Sequence, residues 1–194
     1  MGAPRGASTA GAVARSLANR SGRHGANHGC GSGRSRAVAG VSPVAPPFVA
    51  QQIDTLFADV AIAAVKIGML GQAGVIATVA DRLAHWQAAR IVLDPVMVAK
   101  SGDALLEKSA VGALREALLP LASVITPNLP EAGVLLEGRA PETRKEMERA
   151  AERLRAAMAH DGERWVLLKG GHLTSGDAVD PLHDAEKLST LDAK

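Results

Sequence analysis

Thr126-Pro127-Asn128-Leu129-Pro130-Glu131-Ala132 sets an amide and a carboxylate three residues apart, between the apolar run Ala122-Ser123-Val124-Ile125 and a helical pattern. Three further segments share this plan of an apolar run ending in a polar or glycine tip. They are Val65-Lys66-Ile67-Gly68-Met69-Leu70-Gly71, Ile91-Val92-Leu93-Asp94-Pro95-Val96-Met97 and Val166-Leu167-Leu168-Lys169-Gly170-Gly171-His172. In an open α/β sheet, strands deliver such tips to one crevice at their carboxyl ends, where ligands bind. An aspartate, an Asn/Glu pair and a lysine converging there would make a metal–phosphate site.

Each of these residues also has a plainer use. Asp94 at a strand tip can hold Mg²⁺ or a metal-bound water, or it can cap a helix or close a loop salt bridge. Asn128 and Glu131 can face phosphates through Mg²⁺ and water. Glu131 also falls in the first turn of a helix, where its charge suits the macrodipole, so simple capping accounts for the pair equally well. Lys169 precedes two glycines that let a backbone approach a ligand closely, and its point charge suits phosphate; a glycine-rich turn with a solvated lysine is the alternative. His172 reads as a turn or supporting residue, and Met69 first as packing. Lys66 interrupts a buried strand and must pair or reach an edge, so a structural ion pair is expected. Lys100-Ser101-Gly102-Asp103 is a polar loop that could fold over a phosphate or be a surface turn.

Other chemistries are excluded by what is missing. No Gly-x-x-x-x-Gly-Lys-Ser/Thr phosphate loop occurs. Cys30 is the single cysteine and the histidines lack ligand spacing, so no cysteine-based metal cluster can form. The same lone cysteine precludes an intrachain disulfide and fits a reducing, cytoplasmic location. No apolar run approaches the roughly 20 residues of a spanning helix, and the first residues lack the apolar block of a secretory signal.

The elements that would position these tips follow from periodicity. Val49, Ile53, Leu56 and Phe57 mark one helix, and Val75, Ile76, Val79, Leu83 and Trp86 a second. Val111–Leu119 reads as a helix stopped by Pro120. A long charged helix over about 141–159 has Met147, Ala150, Ala151, Leu154 and Met158 as its inner stripe. Ala63–Ile67, Ile91–Leu93, Val124–Thr126 and Trp165–Leu168 read as buried strands. Strands alternating with helices indicate parallel βαβ units, hence an α/β, doubly wound, mostly parallel sheet with helices on both faces. Residues 173–194 suit a hairpin at the sheet edge.

Charge divides the chain. The 194 residues carry a formal net charge of +2, yet residues 1–53 contain six arginines and no acid, so the remainder is acidic. Residues 1–37, rich in Gly, Ser, Ala and Arg, show no hydrophobic period and are expected to be a disordered tail, with 38–194 as the folded domain. An organelle transit peptide and a nucleic-acid-binding arm are the other readings of this tail. The arm has no aromatics to stack on bases, so no nucleic-acid partner is expected.

Taken together, Phe48-Val49-Ala50-Gln51-Gln52, Lys66-Ile67-Gly68-Met69-Leu70, Asp94-Pro95-Val96-Met97-Val98-Ala99-Lys100-Ser101-Gly102, Ile125-Thr126-Pro127-Asn128-Leu129-Pro130-Glu131-Ala132 and Leu168-Lys169-Gly170-Gly171-His172 resemble hydroxymethylpyrimidine/phosphomethylpyrimidine kinase of thiamine biosynthesis, in the ribokinase-like superfamily. The resemblance implies ATP- and Mg²⁺-dependent phosphorylation of 4-amino-5-hydroxymethyl-2-methylpyrimidine and then of its monophosphate. It implies that Asp94 and Glu131 act through Mg²⁺ and its waters. Asn128 and Lys169 would serve the ATP phosphates, and Gly68, Met69 and Val96 would border the pyrimidine. The expected partners are the pyrimidine and ATP, with no membrane; a homo-oligomer is left open. The family's N-terminal glycine-rich loop and C-terminal anion-hole loop have no counterpart, so the domain is expected to be incomplete at both ends and impaired, with no residue assigned as catalytic. Other readings are a pyridoxal kinase-like enzyme, against which the Met97–Gly102 tract argues, and a non-catalytic remnant that binds nucleotide or a partner.

Overall fold

A computed structural model describes residues 13–18, 22–27, 29–34, 37–97, 108–158, 162–170, 179–183 and 188–192. Four short parallel strands form its centre: β5 (Val65–Ile67), β6 (Ile91–Leu93), β7 (Val124–Ile125) and β8 (Trp165–Leu167). Val65, Ile67, Ile91, Leu93, Ile125 and Val166 are buried, while Lys66, Val92, Val124, Trp165 and Leu167 between or beside them are more exposed, so one face of these strands carries the core. The amphipathic helices α1 (Pro46–Asp59) and α2 (Ala73–His85) pack on one another, and α2 packs in turn on α3 (Lys108–Ala113). Then come α4 (Leu129–Leu135) and α5 (Arg144–Ala157). The stripe Met147, Ala150, Ala151, Leu154 and Met158 is buried as its period predicts.

The expected helix over Val111–Leu119 is divided. After α3 the backbone widens into a π-helical stretch at Leu114–Leu118 and tightens into a 3-10 turn at Leu119–Leu121. Pro120 has no N–H to continue an α-helical ladder, so a regular helix cannot run through it.

The α/β class with a helix-flanked parallel sheet is as expected, but the sheet is parallel only in its centre. Its order is β10-β9-β8-β7-β6-β5-β1-β2, where β1 is Val13–Ala18 and β2 is Gly22–Asn27, with β9 (Val179–His183) and β10 (Leu188–Asp192) as an antiparallel hairpin on β8. This is the edge hairpin read from residues 173–194. Because β5 to β8 are added in one direction, right-handed crossovers bring α2, α3 and α4–α5 to one face. Crossover helices on the second face are not among the described residues.

Within the described part of the amino-terminal segment, β1 (Val13–Ala18) and β2 (Gly22–Asn27) form a hairpin, and β1 pairs antiparallel with β5. A second hairpin joins β3 (Gly29–Arg34) to β4 (Ala37–Pro43). Edge pairing uses backbone N–H and C=O groups, which any residue but proline supplies in full. Ala26 is buried here. Pairing through the main chain therefore leaves little hydrophobic period to read.

Candidate active site

Asp94 follows β6, and its backbone N–H donates to the Ile67 carbonyl of β5 at 2.8 Å. That bond continues the parallel ladder by one rung and lifts the carboxylate to the rim of the sheet. Lys169 Nζ lies 3.1 Å from Asp94 Oδ1, and the Thr126 hydroxyl, after β7, donates to the same oxygen at 3.1 Å. Lys66 Nζ, from the middle of β5, lies 3.5 Å from Oδ2. Both oxygens of one carboxylate are thus engaged by groups from three other strands.

Asn128 and Lys169 are themselves joined by a parallel bridge between the ends of β7 and β8, with Lys169 N–H donating to the Pro127 carbonyl at 2.9 Å. Asn128 caps α4, and Glu131 completes a reciprocal capping box with it. The box satisfies two of the amides that a helix start leaves without partners. Glu131 is buried, the one buried charged side chain among the described residues. Burial pushes its carboxyl above the usual value, and the charge of Asp94 adds to this. The Asn128 and Met97 amides and the Lys169 charge act the other way.

The sequence-derived residues Asp94, Asn128, Glu131 and Lys169 are therefore brought together at the carboxyl edge of the parallel strands. Gly68 and Met69 follow β5 and Val96 follows β6, so all three lie at the same edge on adjacent strands. Met69 is buried, while Gly68 and Val96 are half-buried. The Lys100–Asp103 loop and His172 fall outside the described residues. Thr126 is a further member of the site, and a hydroxyl one residue past an apolar strand is itself a tip signal. Lys66 makes the ion pair its interrupted strand suggested, but with the central acid of the site.

The donor set fits Mg²⁺. This ion keeps several waters and is usually held by one or two carboxylates plus substrate phosphates rather than by a protein cage. No group of three or more His, Cys, Asp or Glu suited to a metal occurs among the described residues. Asp94 and Glu131, close enough to feel one another's charge, are the two carboxylates that would hold it.

A parallel sheet whose carboxyl edge gathers carboxylates, an amide and lysines defines an α/β protein with a polar, charged crevice at its strand ends. The family model for phosphomethylpyrimidine kinase matches residues 32–194, and the chain belongs to that family. It is 48% identical over 152 residues to the hydroxymethylpyrimidine/phosphomethylpyrimidine kinase of Escherichia coli, covering 78% of this chain and 56% of that protein. The corresponding Rhizobium meliloti kinase is 47% identical over 160 residues, 82% of this chain and 58% of the relative. The chain thus spans little more than half the length of these relatives. Among solved structures, phosphomethylpyrimidine kinase from Clostridium difficile superposes with a TM-score of 0.78 at 31% identity, over 87% of this chain and 71% of that one. An ADP complex of Bacillus subtilis pyridoxal kinase gives 0.76 at 31% identity, over 87% and 63%. The ribokinase-like α/β fold expected from the sequence is the fold of these neighbours.

Proposed function

We propose that the chain transfers the γ-phosphoryl group of ATP to the hydroxyl of 4-amino-5-hydroxymethyl-2-methylpyrimidine and then to the resulting monophosphate, as a step in thiamine biosynthesis. The acceptor oxygen forms a bond to phosphorus as the bond to the ADP oxygen breaks; in the first transfer the hydroxyl proton is released, and in the second the acceptor is a phosphate oxygen. The observation that carries the reading is the Lys169–Asp94 pair beside Asn128 and Glu131, within the region that matches the kinase family. Phosphoryl transfer depends mainly on positioning and charge neutralisation, which is what such a cluster offers.

Lys169 holds the nucleotide phosphates, and Asn128 shapes the same network from the start of α4. Bound Mg²⁺, held by Asp94 and Glu131 directly or through water, would neutralise phosphate charge. Gly68, Met69 and Val96 border the pyrimidine. The kinase domain comprises residues 38–194, and its setting is the cytoplasm. Among the described residues no helix is long and apolar enough to cross a membrane.

Pyridoxal is the second acceptor to weigh, because a pyridoxal kinase superposes almost as well as the pyrimidine kinase. ADP release is measured with Mg·ATP and each of the two pyrimidines or pyridoxal, alongside calorimetric titration of Mg·ATP. The reading expects Mg²⁺-dependent nucleotide binding and a preference for the pyrimidines. Absent Mg·ATP binding, or a preference for pyridoxal, would overturn it.

A further inference from the structure

Lys66 stands where a parallel sheet ordinarily has an apolar residue. Its neighbours Val65 and Ile67 are buried, whereas its own side chain is 53% exposed and turned to the opposite side of the strand. An ion pair this open contributes little to stability, too little to account for a lysine in the middle of a central strand. Its position relative to Lys169 suggests another use. β5 and β8 are three strand spacings apart, roughly 14 Å at about 4.8 Å per spacing, with β6 and β7 between them. The two ammonium groups nevertheless meet on one carboxylate, Lys169 on Oδ1 and Lys66 on Oδ2 of Asp94. They reach it from opposite sides.

We infer that Lys66 is a specificity-determining residue that binds the phosphate already present on the monophosphate acceptor. The inference rests on the functional reading above and deepens it. Lys66 leads directly along β5 into Gly68 and Met69, which the functional reading assigns to the acceptor, whereas it assigns Lys169 to the nucleotide. Asp94 holds both cations in place, and an arriving phosphate competes with it for each. A dianionic acceptor therefore gains a charge-assisted contact with Lys66 that the uncharged alcohol cannot make. Loss of a hydrogen bond to a charged group costs about 1.5–3 kcal/mol, or roughly 10- to 100-fold in affinity.

The test is calorimetric titration of the chain with the hydroxymethylpyrimidine, its monophosphate and Mg·ATP, repeated with Lys66→Met and Lys66→Arg. Lys66→Met keeps most of the aliphatic stem, and its unfolding midpoint is measured in parallel. We expect affinity for the monophosphate to fall about 10- to 100-fold relative to affinity for the alcohol, with Lys66→Arg recovering a large part. A purely structural lysine would lower both affinities together, and that result, or no loss at all, overturns the inference while leaving the functional reading intact. If the unsubstituted chain binds neither pyrimidine, the functional reading falls and this inference with it.

Discussion

Asn128 and Glu131 hold each other's backbone: Asn128 Oδ1 accepts from Glu131 N–H at 2.8 Å, and Glu131 Oε2 accepts from Asn128 N–H at 2.8 Å. Capping and ligand binding are the two uses the sequence allows for this pair. The structure shows the capping, which fixes the start of α4 and sets Glu131 beside Asp94 and Lys169. Asn128→Ala removes one of the two bonds and should destabilise the fold by about 1 kcal/mol. Asn128→Asp, which can still accept from Glu131 N–H, should recover most of that. Urea unfolding of the three proteins checks this.

Glu131 gives the fold a pH dependence opposite to that of a carboxylate whose pKa is lowered on folding. Burial raises its pKa above the usual 4.5, so between the unfolded and folded values the native state binds more protons than the unfolded one. Stability from this residue is then full below about pH 4.5 and is lost as pH rises through the folded value. Unfolding free energies of the parent and Glu131→Gln, measured from pH 4 to 7, should show the parent losing ground to the variant as pH rises. A difference that does not change with pH contradicts the prediction.

A second capping box, Thr143 with Glu146 at the start of α5, behaves in the reverse sense. The Glu142 amide, the Arg139 charge and Thr143 lower the pKa of Glu146 below 4.5. Its contribution is present above that value and is lost as pH falls through the folded one. Glu146→Gln should therefore flatten the acid side of the stability profile, read from the same denaturant series.

Two helical glycines should respond to alanine with opposite signs. A Cβ on Gly133 would lie 2.7 Å from Ala140 N and 2.9 Å from Arg139 C, both main-chain atoms with little room to yield. Despite the helix-propensity gain of about 1 kcal/mol, Gly133→Ala should destabilise by about 2 kcal/mol. At Gly74 the nearest atom is Pro46 Cγ at 3.7 Å, an ordinary contact, so Gly74→Ala should stabilise by about 0.5 kcal/mol. Thermal or urea midpoints give both signs.

Lys169→Met removes the ammonium from Asp94 and from the nucleotide phosphates assigned to it. Affinity for Mg·ATP should fall by about 10-fold or more, while the unfolding midpoint shifts little, since the side chain is 40% exposed. Calorimetry with the purified variant decides it. Unchanged affinity would remove Lys169 from the phosphate site.

What the sequence determined by itself was local. The stripe of α5, the apolar runs of β5 to β8 and the polar residues at their tips are written in period and spacing, because burial of one helix face or of one strand face is a property of consecutive residues. Asp94, Asn128, Glu131 and Lys169 were legible for the same reason, each standing next to its own strand end. Tertiary structure decided the pairings. Lys66 and Asp94 come from different strands, and only the parallel register of Ile67 with Leu93 sets the lysine beside that carboxylate. The placement of β1 against β5 was equally hidden, because a strand that joins an edge through main-chain hydrogen bonds needs almost no side-chain signature. The pKa of Glu131 follows from how deeply α4 is buried and how near Asp94 lies, and neither distance is encoded in the spacing of residues along the chain.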